Sequence, residues 1–169
     1  MSHDISKLVD SVVKEVMEKG ATAVKKPSHT PLSKMTLAAA KELISAVEKK
    51  AAEMGVKAVV AVSDAGGNVV AVECMDDAYI ASYDIAVNKA FTVVSLKMPT
   101  KKLAELAAPG GSLYGIQFTN NGRIVIFGGG EPLMKEGKVM GGLGVSGGTA
   151  EQDTLLGEYG RDYFVNNLL

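Results

Sequence analysis

Two β-rich segments separated by a four-residue turn constrain the fold of this chain more than any other feature. VKAVVAVSD (56–64) and VVAVECM (69–75) flank AGGN, a sequence typical of a tight hairpin. Strands joined so closely must run antiparallel, because a parallel return needs a crossover of about a dozen residues. Asp64 is expected to shape the turn through its carboxylate. Further β-rich segments joined by short turns lie at 113–118, 123–128, 131–136 and 138–145. We therefore predict a mainly antiparallel sheet.

Helices are predicted to cover this sheet, because other segments carry apolar residues at helical spacing. They span about 36–54, 78–96, 99–106 and the region from Thr149 towards the C terminus. In the second of them, Ile80, Tyr83 and Phe91 are expected to face the core. Asp76 and Asp77 are expected to cap its start.

The N-terminal segment is predicted to be an appendage of the domain. Residues 5–19 form an apolar stripe at helical spacing, which ends at Gly20. The following residues contain two prolines and no periodicity. We divide the chain into an amphipathic helix (1–20), a linker (21–32) and a domain (33–169). So short a helix cannot bury its stripe alone and must dock on its own domain, another subunit or a foreign partner.

Charge and cysteine content argue against several classes of function. The chain has 18 basic and 19 acidic residues, so binding to nucleic acid through phosphate neutralisation is not expected. Its apolar runs are shorter than the roughly 20 residues of a membrane span, and we identify no signal peptide. Cys74 is the single cysteine. This favours a reducing, cytoplasmic location and argues against a cysteine-based zinc site.

The glycine-rich stretch GGLGVSGGTAEQD has the spacing of a nucleotide-binding loop but not its context. Gly142, Gly144 and Gly147 fit G-x-G-x-x-G. That fingerprint belongs in the first strand–helix turn of a parallel unit, whereas here it falls within the last strand. We interpret the glycines as a surface against which something bulky can lie. The spacing of Thr149 and Gln152 predicts a capping box at the start of the final helix. The positive end of this helix would either bind an anion such as a carboxylate or be a capped end without a ligand.

Several motifs, in this order, resemble the GlcG/HbpS family. They are MTLAAAKELISAVEKKA, VSDAGGNVVAVECMDDA, NKAFT, SLYGIQFTNNGRIVIFGGGEPL and GGLGVSGGTAEQD. The resemblance covers roughly residues 33–164 and is closest to the C-terminal domain of PduO-type proteins. It implies an α+β fold, with a five-stranded, mainly antiparallel sheet flanked by helices in an α/β/α-like arrangement. It also implies homo-oligomers and haem binding. Adenosyltransferase activity is not implied, because only 32 residues precede the matched region.

The function predicted from this resemblance is a non-catalytic module that binds haem, with a corrinoid as the alternative tetrapyrrole. His29 is the candidate axial ligand, because a neutral imidazole ligates haem iron; the alternative is an exposed linker histidine. The cavity beside the glycine-rich strand is expected to involve Gly142, Gly144, Ser146, Gly147, Gly148, Thr149 and Glu151. A small enzyme or binding protein for a carboxylate or aldehyde is the alternative function.

Two basic residues are candidate partners for the haem propionates. Lys89 interrupts an otherwise apolar helix and is expected to pair with an acid such as Glu151 or with a propionate. Arg123 begins a predicted strand, and it would either bind the same propionate or be an exposed charge at the edge of the sheet. A thioether ligand could come from one of the scattered methionines at 54, 75, 98, 134 and 140. Scattered methionines more often fill gaps in a hydrophobic core.

Residues 5–19 resemble the encapsulation peptides that direct cargo into bacterial microcompartments. PduO-type proteins belong to such propanediol-using systems, which use cobalamin. This resemblance implies shell or cargo proteins as partners and the lumen of a microcompartment as the location. Packing of the helix within its own oligomer is the alternative.

Overall fold

Four antiparallel strands form the sheet in the computed structural model of the protein, which describes residues 32–169. The strands are β1 (Val59–Asp64), β2 (Val69–Cys74), β3 (Gly130–Lys135) and β4 (Lys138–Ser146), in the order β2-β1-β4-β3. The predicted helix 1–20, nearly all of the linker, and both histidines lie outside the described residues.

The predicted hairpin is confirmed, and its turn depends on Asp64. One carboxylate oxygen of Asp64 accepts the backbone N–H groups of Gly66 at 2.8 Å and Asn68 at 2.9 Å. These hydrogen bonds, first that from Asn68, lower the pKa of the Asp64 carboxyl. The carboxylate therefore stabilises the turn that joins β1 to β2.

The prediction of five strands is wrong, because segments 113–118 and 123–128 do not join the sheet. Short 3₁₀ helices occupy Ile116–Phe118 and Asn120–Gly122. Asn120, Asn121 and Gly122 have φ values of 50°, 56° and 76° and form the short turn between the two segments. Val125 donates its N–H to the Thr92 hydroxyl at 3.0 Å, so a helix side chain takes the place of a neighbouring strand.

Helices cover both faces of the sheet. The larger core lies between one face and the helices α1 (Leu37–Glu53) and α4 (Ala150–Tyr163). The opposite face packs against α2 (Ile80–Leu96), which is followed by the short α3 (Thr100–Ala107). A π-helical turn, Phe164–Leu168, ends the chain. The helix segments were therefore predicted correctly to within about two residues, the ordinary uncertainty of helix ends.

The start of α2 differs from its prediction. Ile80 is 97% exposed and Tyr83 is 51% exposed, so neither faces the core. The helix begins after Tyr79, and neither Asp76 nor Asp77 caps it. Asp77 instead has a φ of 65°, and its carboxylate lies 3.4 Å from the Lys57 ammonium.

Candidate functional site

A cavity of about 440 Å³ lies at the glycine loop between β4 and α4, and we call it the loop cavity. Its walls include Lys57, Tyr79, Gly147, Gly148 and Thr149. A Cβ at Gly147 would lie 2.8 Å from the Cα of Ala58, so the loop packs directly on the start of β1. Only glycine fits so close a backbone approach.

The positive end of α4 is occupied by groups of its own loop. Thr149 and Gln152 form the predicted capping box, in which each side chain accepts the other residue's backbone N–H. The N–H of Gly148 donates to an Asp153 carboxylate oxygen at 2.9 Å. Backbone and Thr149 hydrogen bonds also lower the pKa of the Glu151 carboxyl. The backbone N–H groups of Gly148, Thr149 and Gln152 are therefore already hydrogen-bonded and unavailable to an external anion.

Lys89 is fully buried and belongs to an internal ion pair. Its ammonium donates to the Asp153 carboxylate at 2.8 Å and to the Val145 carbonyl at 2.6 Å, and it lies 4.8 Å from the centre of the Phe127 ring. Burial lowers the pKa of Lys89, and the charge of Asp153 opposes that shift. The suggested pairing with Glu151 is wrong, because Glu151 is exposed whereas Asp153 is buried. Lys89 thus joins α2 to β4 and α4.

The other predicted site residues lie in separate environments. Gly142 and Gly144 face α2: a Cβ on either would approach the backbone of Ala86 or Ala90 closely. The bulky group beside the glycine-rich strand is therefore this helix. The buried Ser146 hydroxyl bonds to the Ser82 hydroxyl at 3.1 Å. Only Gly147, Gly148 and Thr149 meet at the loop cavity, whereas Glu151 lines a different one.

Arg123 lies outside the sheet and stacks on an aromatic ring. Its guanidinium carbon lies 3.7 Å from the centre of the Phe91 ring, and its Nε donates to the Asn88 side-chain oxygen at 3.2 Å. This arrangement differs from the strand-edge charge considered for Arg123, because no strand forms at 123–128.

A groove between α3 and α4 forms a second cavity, of about 390 Å³, which we call the groove cavity. Phe127 and Leu155 contribute apolar wall, and Lys101 contributes an ammonium group. That ammonium lies 3.4 Å from the Glu158 carboxylate, and Glu151 adds a second acid to the lining. No histidine, cysteine, methionine or tyrosine is among the described residues that line it.

A third cavity, of about 500 Å³, lies where the described chain enters the domain, and we call it the entry cavity. The Lys135 ammonium donates to the Leu32 carbonyl at 2.9 Å. This hydrogen bond holds the backbone at Leu32, the first described residue, beside the β3–β4 hairpin. The walls combine thioethers, branched apolar side chains and ammonium groups, which come from Lys34, Met35, Val70, Lys138, Val139 and Met140. The sequence pointed to Met140 only as one of several scattered methionines and gave no sign of the cavity. Its walls come from segments about a hundred residues apart in the chain.

Two features are absent from the described part of the chain. Between residues 32 and 169, no helix has both the length and the apolarity needed to cross a membrane. The same residues contain no group of three or more His, Cys, Asp or Glu side chains arranged to hold a metal ion.

Comparison with known proteins identifies the family. The model of the family described as "Haem degrading protein HbpS-like" matches residues 35–162. The chain belongs to the HbpS-like family. The resemblance to the GlcG/HbpS family is thereby confirmed, and the HbpS-like match extends over the whole sheet, the loop and groove cavities, and all of the entry cavity except Ser33 and Lys34.

Two curated relatives show how the HbpS-like region occurs in other proteins. An "Uncharacterized 15.0 kDa protein in dhaT-dhaS intergenic region" of Citrobacter freundii is 51% identical over 133 residues, which are 79% of this chain and 94% of the relative. The corrinoid adenosyltransferase PduO of the same organism is 33% identical over 150 residues, which are 88% of this chain and 45% of PduO. The chain therefore spans less than half the length of that enzyme.

Two solved structures share the HbpS-like fold. The Klebsiella pneumoniae protein ORFY has a TM-score of 0.76 and 48% identity, and the match covers 78% of this chain and 91% of ORFY. The structure described as a PduOC:heme complex has a TM-score of 0.73 and 34% identity, and the match covers 76% of this chain and 94% of that one. The second of these relatives was therefore solved with haem.

Proposed function

We propose that this HbpS-like domain is a haem-binding module. The observation that carries the proposal is the likeness to the PduOC:heme complex, which shares 34% identity over 94% of its chain. The description of the family as haem-degrading points to the same ligand. Bound haem would supply iron-centred redox and oxygen chemistry, while the protein binds and orients it.

The residues present fit a haem in chemical terms. A haem site needs apolar walls for the macrocycle, cations for the two propionates, and an axial ligand. Lysine ammonium groups stand beside apolar side chains in both the groove cavity and the entry cavity. Both histidines precede residue 32, so an axial ligand from residues 32–169 would have to be a sulfur, an oxygen or an amine.

Titration with haemin tests the proposed function. We expect a shifted Soret band that saturates at one haem per chain, because a built site holds one macrocycle. We also propose His29 as the axial ligand, so His29→Ala should abolish or shift the iron-bound spectrum. An unchanged band in that variant would remove His29 from the mechanism. Haemin absorbance that grows without saturation in the wild-type protein would overturn the function itself.

The same titration separates the alternative ligands and functions. A corrinoid ligand would be recognised if hydroxocobalamin competed with haemin at similar concentration. Loss of the Soret band over time with a reductant would extend the function to the haem degradation that the family description names. Turnover of a carboxylate or aldehyde without haem would instead favour a small enzyme.

We further propose that the domain acts as a homo-oligomer. Large apolar side chains are exposed on its surface, among them Ile80, Phe118 and Tyr79 at 97%, 82% and 73%. Tyr79 and Ile80 are neighbours at the start of α2, and adjoining exposed apolar side chains of this kind support an interaction site. Sedimentation of a chain that begins at Leu32 would give a species larger than a monomer, and a clean monomer would defeat this proposal.

The setting that we propose is cobalamin-dependent diol metabolism, with residues 5–19 as a microcompartment-targeting helix. The likeness to corrinoid adenosyltransferases supports the metabolic setting. A fluorescent protein fused to residues 1–26 would form puncta in cells that make the shell. Val12→Asp with Val16→Asp would disperse them, because two charges cannot enter an apolar groove cheaply. Diffuse fluorescence of the unchanged fusion would rule out targeting.

A further inference from the structure

We propose that Lys89 is a nucleophilic amine that condenses with a small, uncharged aldehyde admitted through the groove cavity. The product is an imine, in which the Lys89 nitrogen is doubly bonded to the former carbonyl carbon. This activity is separate from haem binding and goes beyond it. It gives the buried pair of Lys89 and Asp153 a chemical role in addition to its structural one.

The Lys89 ammonium lies directly behind the wall of the groove cavity. Its Nζ atom is 4.8 Å from the centre of the Phe127 ring, and Phe127 also lines the cavity, with 41% of its surface exposed. An added Cβ at Gly129 would lie 2.7 Å from Nζ, and the preceding Gly128 belongs to the cavity wall. Rotation of the Phe127 side chain would therefore bring the amine within reach of a molecule in the groove.

The surroundings of Lys89 favour the neutral, nucleophilic form of its amine. The side chain is fully buried, and this burial lowers the pKa of Lys89, whereas the charge of Asp153 opposes that shift. The nearer Asp153 carboxylate oxygen lies 2.8 Å from Nζ, so it can accept the ammonium proton directly. Because taking two charges out of water is costly, the neutral amine and carboxylic acid compete with the ion pair inside the protein.

The condensation balances within Lys89, Asp153 and the aldehyde. The ammonium passes a proton to the Asp153 carboxylate, and the freed nitrogen lone pair forms a bond to the carbonyl carbon while the carbonyl electron pair moves to oxygen. The nitrogen loses two protons in all, and both leave with the carbonyl oxygen as water. The product is a protonated imine whose positive charge stays paired with the Asp153 carboxylate, and no oxidant or reductant is consumed.

The walls of the groove cavity indicate the class of aldehyde. Its volume of about 390 Å³ lies within the range of small-molecule sites. The Phe127 and Leu155 side chains offer apolar surface to a hydrocarbon chain. Two acids, Glu151 and Glu158, stand against a single cation, Lys101, which is already paired with Glu158. A short, uncharged aldehyde therefore fits this groove better than one that carries a carboxylate.

Reductive trapping in the full-length protein tests the proposal. Pentanal with sodium cyanoborohydride converts an imine into a stable N-pentyl lysine, and digestion followed by mass spectrometry locates the modified residue. We expect Lys89 to be modified roughly tenfold faster than Lys101, an exposed lysine of the same cavity, because exposed amines are almost wholly protonated at neutral pH. The rate at Lys89 should also saturate with pentanal concentration, since the aldehyde must first occupy the groove.

Two matched variants and a second aldehyde test the route and the substrate class. Ala104→Trp places a bulky ring in the groove wall on α3, whereas the buried pair joins α2 to α4, so it should slow modification of Lys89 roughly tenfold. Ala108→Trp, at an exposed position just beyond α3, should leave that rate within about twofold. The anionic aldehyde 5-oxopentanoate should modify Lys89 more slowly than pentanal does. Circular dichroism verifies that both variants fold.

Each outcome supports or overturns a stated part of the proposal. Adducts at Lys101 and Lys57 with none at Lys89, or a Lys89 adduct that forms only in urea, would overturn it and leave Lys89 with a structural role alone. A rate at Lys89 that Ala104→Trp does not change would overturn the groove as the route. Equal rates for the two aldehydes would overturn the preference for an uncharged one. None of these results bears on haem binding, which the haemin titration tests separately.

Discussion

Replacing Lys89 with methionine is expected to lower the free energy of unfolding by about 3–5 kcal/mol. Methionine keeps much of the length of the side chain but removes the cation that faces Asp153 at 2.8 Å. The carboxylate of Asp153 would then remain buried without its cation, and it would keep the hydrogen bond from the Gly148 N–H. Urea denaturation followed by circular dichroism measures the loss.

Two further variants separate the charge effect from a packing effect. Adding Asp153→Leu to Lys89→Met should recover most of the loss, because replacing both partners of a buried pair is often nearly neutral. Lys49→Met, on the exposed face of α1, should change stability by less than about 0.5 kcal/mol. A change below about 1 kcal/mol for Lys89→Met would mean that the buried pair does not hold α2 against α4 as described.

Gly144→Ala is expected to destabilise the domain by about 3 kcal/mol, at the upper end of the range for overpacking. The added Cβ would lie 2.7 Å from the backbone nitrogen of Ala90 and would also clash with the carbonyl of Ala86. A helix backbone cannot rotate away as a side chain can, so α2 would have to move off the sheet. The urea midpoint should fall accordingly.

A second glycine provides the control for that substitution. At Gly66, an added Cβ would lie 3.0 Å from the amide nitrogen of Asn68, the end of a side chain that can move. Gly66→Ala should therefore cost clearly less than Gly144→Ala. Equal urea midpoints for Gly144→Ala and the wild type would contradict the close packing of α2 on β4.

Features governed by neighbouring residues could be predicted from the sequence. The hairpin at Asp64 and the capping box of Thr149 and Gln152 each lie within five residues of chain, and both formed as expected. The helix segments could be located because their apolar spacing is a local property.

Features governed by tertiary contacts could not be predicted in this way. The segment at 113–118 has β-rich composition, but Gly115 adopts a φ of 90° and Ile116–Phe118 form a 3₁₀ helix. Lys89 reaches Asp153 instead of Glu151 because α4 turns Asp153 inward, and spacing alone could not select between the two acids. The entry cavity arises only when Met35 and Met140 are brought together by the folded chain.

Titration of the full-length protein with haemin, followed by absorbance, tests the central claim most directly. At one equivalent of haemin per chain, we expect the shift of the Soret band to be complete, because one site holds one macrocycle. Absorbance that keeps rising in proportion to the added haemin beyond one equivalent, without a shifted band, would contradict haem binding by this HbpS-like domain.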